Sequence, residues 1–173
     1  MPFTPFHWGA SVLFQALIII LDPVALFVSS IAPDIEGITA LFIFPRLGLP
    51  LHGILHSFFG ATILGLITGI SSWASFKHFI PKILEITSTN LNLPQYSLKI
   101  SLLSAFIGTY SHIILDSPLY REMELFFPLK LGNPWYNIVP GNFVYFFCVF
   151  SFFLGISIFI LRINFMNSKK LVD

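Results

Sequence analysis

The sequence predicts an all-α integral membrane protein, a helical bundle with three clear spanning helices and an N-terminal helical hairpin broken at Asp22–Pro23. Three observations predict it. The 173-residue chain is 55% hydrophobic and only 10% charged, with a mean hydropathy of +0.85. A soluble domain carries about 25% charged residues, so this chain lacks the polar surface to face water on all sides. Three segments, Ile54–Phe76, Leu98–Leu115 and Phe143–Leu161, approach or exceed the roughly 20 apolar residues that cross a bilayer. A fourth apolar region, Gly9–Ala32, is interrupted in its middle by "LDPV".

The elements follow in order. The start, "MPFTPFHWG", has no basic segment ahead of its apolar run, so no cleaved signal peptide is expected. In the first apolar region Pro23 removes a backbone donor and disfavours helix at Asp22. A charged Asp inside the bilayer is itself costly. The region therefore reads as two short helices, about Trp8–Leu21 and Val24–Ile31, folded as a hairpin. Gly37–Pro50 is apolar but broken by Pro45, Gly48 and Pro50. After the first clear span, Phe79–Ser97 carries Lys82, Glu85, "TSTN" and Pro94 and reads as a water-exposed loop. Pro118–Asn142 mixes four charges with aromatics and prolines, the composition of an interfacial loop that packs back on the protein. Trp8, Trp135 and Tyr136 fit an aromatic belt at the bilayer edge. Residues 1–166 read as a single domain and 167–173 as a polar tail.

Charge bounds the partners. A net charge of +1 provides no electrostatic footprint for nucleic acid. The one cysteine, Cys148, excludes an intramolecular disulfide and any cysteine-based zinc cluster. Lys77, Lys82, Lys99, Arg162, Lys169 and Lys170 flank one side of the bundle, against Arg46, Arg121 and Lys130 on the other. That bias puts the C-terminus in the cytoplasm.

The residues that an apolar chain should avoid are His7, Asp34, Glu36, His52, His56, His112 and Asp116. In "HIILD", His112 and Asp116 stand at i and i+4, on one helix face one turn apart. "LHGILH" does the same for His52 and His56, and "PDIEG" sets two carboxylates two residues apart. Singly, each has a plainer role: a hydrogen-bonded core histidine, or an N-cap for Asp34. Together they fall on the side of the membrane opposite the lysine-rich loop, where His56 opens a helix and His112–Asp116 closes one. His7 joins them only if the chain reverses near Asp22, because a straight helix separates His7 from Asp34 by about 40 Å at ~1.5 Å per residue. Imidazole and carboxylate are the ligand types of zinc, manganese and non-haem iron. Ionisable groups inside membrane segments are functional candidates by default.

The order of these motifs — an N-terminal His, "PDIE", "GILHS" and "SHIILD" — resembles the LexA-regulated, inner-membrane-associated metal-dependent hydrolase family. That family is distantly similar to the all-helical zinc-dependent phospholipase C superfamily. The resemblance covers about residues 4–135 and rests on the order of short motifs. It implies metal-ligand roles for His7, Asp34, His56, His112 and Asp116, with zinc the first choice of divalent ion and manganese or iron the alternatives. Glu36 takes the place of the family's second Asp. The family's His-Arg-Gly block falls on Leu51, His52 and Gly53, so His52 is a departure from the pattern.

The expected function is that of a membrane-embedded metal-dependent hydrolase acting on a lipid or lipid-linked phosphoester. Glu36, or whichever of His52 and Asp116 is not a ligand, is the candidate general base. Arg121 is the candidate contact to a phosphate. Two alternatives use the same residues: a transporter or ion path, and a non-catalytic protein with a structural metal.

Overall fold

The computed structural model describes residues 6–87 and 93–170, with side chains to Phe165. The described elements are helical throughout. Helix α1 spans His7–Leu17 and α2 Pro23–Ser29, and the chain turns back between them at Ile18–Asp22. The expected hairpin is present. Asp22 ends the turn by capping α2, its Oδ1 accepting from Ala25 N at 3.1 Å, with Pro23 at the first helical position.

The second arm is longer than Val24–Ile31. It continues through a 3₁₀ turn at Ala32–Asp34, the short helix α3 (Ile35–Ile38) and a π turn at Thr39–Ile43. Pro23–Ile43 is thereby one bent helical stretch, long and apolar enough to cross a membrane. Phe58–Ile86, Leu98–Asp116 and Gly141–Phe165 are three more. They comprise α4 (Phe58–Ala74), continued by a π turn into α5 (Ile80–Ile86), then α6 (Leu98–Asp116) and α7 (Gly141–Lys170). The span expected from Ile54 begins at Phe58, because Ser57 is its N-cap: Gly60 N donates to Ser57 Oγ at 3.0 Å. His56 therefore sits in a 3₁₀ turn just ahead of the helix and not in its first turn. At the other end of the chain α7 runs on to Lys170 and takes in most of the polar tail. The "TSTN" motif lies largely outside the described residues.

Packing sets the order of the bundle. α4 lies on α6, α2 covers both, and α1 bridges α2 and α6 to α7. Small residues make the approach possible, as membrane helix pairs require. A Cβ on Gly65 would stand 2.6 Å from the Phe106 ring, and one on Gly108 would collide with Ser29 Oγ.

The far end of the hairpin is clasped by a buried carboxylate. Asp22 Oδ2 accepts from Ser72 Oγ at 2.8 Å on α4 and from Ser101 Oγ at 2.6 Å on α6. Asp22 N donates to Ser104 Oγ at 2.8 Å. The opposite end is closed by the 118–140 loop, which packs back as expected. Met123 and Leu125 are buried with Ala61 and Ile113, ringed by Phe58, Tyr110, Tyr120 and Trp135. Phe58 N donates to Leu125 O at 3.0 Å. Asn133 Nδ2 donates to the carbonyls of Ser117 and Tyr120 at 2.6 and 2.7 Å.

Candidate metal centre

The hairpin and the helix ends bring the ionisable residues to one place. Asp34 comes from the bend after α2, His56 from the turn before α4, and His112 and Asp116 from the last turns of α6. One ligand atom from each of these four lies within 4.8 Å of every other. His56, His112 and Asp116 are buried, while the Asp34 side chain keeps 14% exposure and marks the open edge.

Backbone and carboxylate acceptors fix the two imidazoles. His112 Nδ1–H donates to the Ser30 carbonyl at 2.7 Å. His56 Nδ1–H donates to Glu36 Oε2 at 3.0 Å. Each acceptor can only accept, so Nδ1 carries a proton, and in the neutral ring the Nε2 lone pair faces the cluster. His112 Nε2 lies 3.3 Å from Asp116 Oδ2 and 3.7 Å from Asp34 Oδ1, and His56 Nε2 lies 4.0 Å from Asp34 Oδ1. Both Nε2 atoms and Asp116 Oδ1 are buried without a hydrogen-bond partner. Buried polar atoms of native proteins are nearly always paired. Two imidazoles and two carboxylates converging in this way are capable of holding a divalent cation of the zinc, manganese or iron type.

His7 stands beside the four. Its Nε2 is 3.3 Å from Asp116 Oδ1, its ring stacks on His112 at 3.9 Å, and both ring nitrogens are buried without a partner. Glu36 lies behind His56. Its Oε2 also accepts from Gly53 N at 2.8 Å, and its Oε1 accepts from Leu55 N at 3.3 Å. That is the arrangement in which a carboxylate orients a ligating histidine. Burial lowers the His56 pKa and outweighs the opposing bond to Glu36.

His52 points another way. Its Nδ1–H donates to Glu122 Oε1 at 2.9 Å, and its ring stacks on Tyr120 at 3.8 Å. It stands edge to face with His56, ring centres 4.7 Å apart. Partial burial raises the Glu122 pKa, but a backbone bond and His52 more than offset it, and the net shift is downward. Burial pushes the Tyr120 phenol up. Arg121, between these two, is exposed and outside the cluster.

Glu122 is the participant that sequence reasoning missed. It reads as one charge among four in a solvated loop, and its side chain is indeed 55% exposed. Only the fold-back of the loop over α4 and α6 shows that it meets His52. Comparison of the chain with family models, curated proteins and solved structures yields no match.

Proposed function

We propose that the chain is a membrane-embedded metal-dependent hydrolase, with Asp34, His56, His112 and Asp116 holding the ion and His7 completing the site against Asp116. The observation that carries this is the convergence of four donor atoms within 4.8 Å, two of them imidazole Nε2 atoms buried without a partner. A divalent ion held there, zinc ahead of manganese or iron, would supply Lewis acidity and an activated water. Glu36 and the Ser30 carbonyl hold His56 and His112 in the ligating tautomer. Both Glu36 oxygens are engaged in that task, so His52 takes the proton-transfer role, with Glu122 holding its Nδ1–H and leaving Nε2 to exchange a proton with substrate. The partly exposed Asp34 favours an open coordination position over a sealed structural site.

The substrate class is a lipid or lipid-linked phosphoester, with Arg121 at the loop surface as its phosphate contact. The motif order and the four apolar helical stretches support a place with the LexA-regulated, inner-membrane-associated metal-dependent hydrolases. The basic residues support a cytoplasmic C-terminus and a metal site on the opposite side of the membrane. An ion path is less well supported. Asp22 is a buried carboxylate at the far end of the bundle, but its oxygens accept three hydrogen bonds. The hydroxyls of Ser29, Ser30 and Thr109 between the two ends donate to backbone carbonyls.

The test is metal analysis of detergent-purified protein beside His56→Ala and His112→Ala. One bound ion per chain is expected in the parent and a loss in both variants, whereas stoichiometric metal in both variants would sink the site. Hydrolysis of phosphodiester, phosphomonoester and phospholipid substrates should then stop on chelation and return with the ion. Glu122→Gln should slow turnover while the metal content holds.

A further inference from the structure

We propose that the apolar groove between α1 and α7 seats one acyl chain of a bilayer phospholipid whose phosphate end lies at the metal centre. The lipid's fate as a substrate rests on the hydrolase reading, but its binding does not. The groove has a volume of 390 Å³, with Phe6, Trp8 and Gly9 on one wall and Val149, Phe152 and Phe153 on the other.

Its upper end lies beside the residue that reaches the site from α1. Phe6 and Trp8 bracket His7 in the chain, and His7 is turned inward onto Asp116. Phe6 meets the Tyr145 ring edge-on at 5.4 Å, and Gly141 lies against Leu119 in the loop that follows Asp116. The first turns of α7, as far as Tyr145, are therefore level with the metal centre. Counted from Tyr145 at ~1.5 Å per residue, Val149–Phe153 lie about 6–12 Å further along that helix. Half the hydrocarbon core of a bilayer is about 15 Å. The groove thus runs from the level of the metal centre toward the middle of the membrane, which is the course of an acyl chain below its headgroup.

The floor and walls fit hydrocarbon. Gly9 packs directly on the Cys148 carbonyl, where a Cβ would collide, so the backbones of α1 and α7 meet and close the groove on the bundle side. The walls are aromatic and aliphatic. Apart from the Cys148 thiol, the polar side-chain group among the lining residues is the Trp8 indole N–H, which is directed to the Phe27 carbonyl at 3.4 Å. Trp8 is thereby fixed at the mouth as a rigid edge. The exposed rings of Phe146 and Phe150 stack on each other on another part of α7 and form no wall of the groove, which makes them an internal control for unselective lipid contact.

The experiment uses the full chain in nanodiscs of phosphatidylcholine and phosphatidylglycerol doped with phosphatidylglycerol carrying a diazirine in mid-chain. After illumination, labelled residues are mapped by mass spectrometry. Labelling at Trp8, Val149, Phe152 and Phe153 should exceed that at Phe146 and Phe150 several-fold. Val149→Trp, at a position open to lipid, should abolish the excess while leaving bound metal unchanged. Equal labelling of the two sets, or labelling indifferent to Val149→Trp, overturns the proposal. So does dimerisation through the groove, seen as two copies per nanodisc for the parent and one for Val149→Trp. The labelling needs neither ion nor turnover, which separates the two readings. Selective labelling without any hydrolysis removes the enzyme and keeps the lipid site, and hydrolysis of a soluble phosphoester with unselective labelling does the reverse.

Discussion

Glu36→Gln tests how the ligands are held. The carboxylate accepts three hydrogen bonds: Gly53 N at 2.8 Å and His56 Nδ1 at 3.0 Å on Oε2, and Leu55 N at 3.3 Å on Oε1. A glutamine keeps one of these oxygens and replaces the other with an NH₂ group. That group must then face a backbone N–H or the His56 Nδ1–H, donor against donor. If the oxygen stays with His56, the turn that presents His56 loses Leu55 N. If it stays with the backbone, His56 loses the partner that places its lone pair on Nε2. In the second case the outer partner of His56 is lost outright, and in the first the turn that presents His56 is loosened; losing such a partner costs about 10–100-fold in metal affinity, or ~1.4–2.7 kcal/mol. The assay is competition for Zn²⁺ against a chromogenic chelator in detergent, with thermal unfolding of the metal-free protein beside it. Glu122→Gln serves as the control, because Glu122 holds His52, which is not among the four converging residues. An unchanged dissociation constant in Glu36→Gln, with normal unfolding, would refute the reasoning.

Three further outcomes follow from the same structure. Asp22→Ala removes the cap of α2, at about 1 kcal/mol, and strips an acceptor from two buried serine hydroxyls, at roughly 1–3 kcal/mol each. Equilibrium unfolding in detergent should show a loss of several kcal/mol, and a loss no larger than the cap alone would contradict the clasp. Gly108→Ala drives a methyl into Ser29 Oγ and the Leu26 carbonyl, at about 1–3 kcal/mol of overpacking. It should also weaken metal binding, because the Ser30 carbonyl that holds His112 is next to the collision. The pH dependence has a defined sign. Ligation needs neutral imidazole, and burial holds His56 below its ordinary value of about 6.5. Its protonation should therefore compete with the ion only in acid, and a His56 imidazole that already titrates between pH 8 and 7, followed by NMR of the metal-free protein, would count against this assignment.

Much of the site is legible in the sequence because the background is so apolar. In a chain with 10% charged residues, His7, Asp34, His56, His112 and Asp116 stand out without further help, and the i, i+4 spacing of "HIILD" places two of them on one face. The hairpin is legible from Asp22–Pro23 for a local reason, since proline chemistry acts on its own neighbours. What the sequence hides depends on partners distant in the chain. Asp22 reads as a turn marker, and only packing reveals Ser72, Ser101 and Ser104 around it, 50 to 82 residues away. Serines in apolar helices look like small spacers. The length of the second arm is hidden for the opposite reason. "APDIEG" carries the proline and glycine of a helix break, yet the chain absorbs them in a 3₁₀ turn, the short helix α3 and a π turn and continues to Ile43. The start of α4 shifts from Ile54 to Phe58 because Gly53 and Leu55 give their N–H groups to Glu36, a contact no periodicity contains.

The choice between a cation and a set of protons at the cluster turns on geometry. With Nδ1–H of His56 and His112 committed to Glu36 and to the Ser30 carbonyl, each Nε2 presents a lone pair to carboxylate oxygens, acceptor against acceptor. A cation or a pair of protons between them would relieve that opposition. Two protons would resolve the charge, but they would also draw each N···O pair to hydrogen-bond length, about 2.7–2.9 Å for a charged pair. The observed separations are 3.3, 3.7 and 4.0 Å, and neither Nε2 forms a hydrogen bond. A tetrahedral ion with bonds of about 2.0–2.1 Å holds its ligand atoms roughly 3.3 Å apart. The spacing in this cluster begins at that value and widens toward Asp34, the ligand on the exposed side. A cluster with this spacing is capable of holding an ion, and its loosest edge is the partly exposed Asp34.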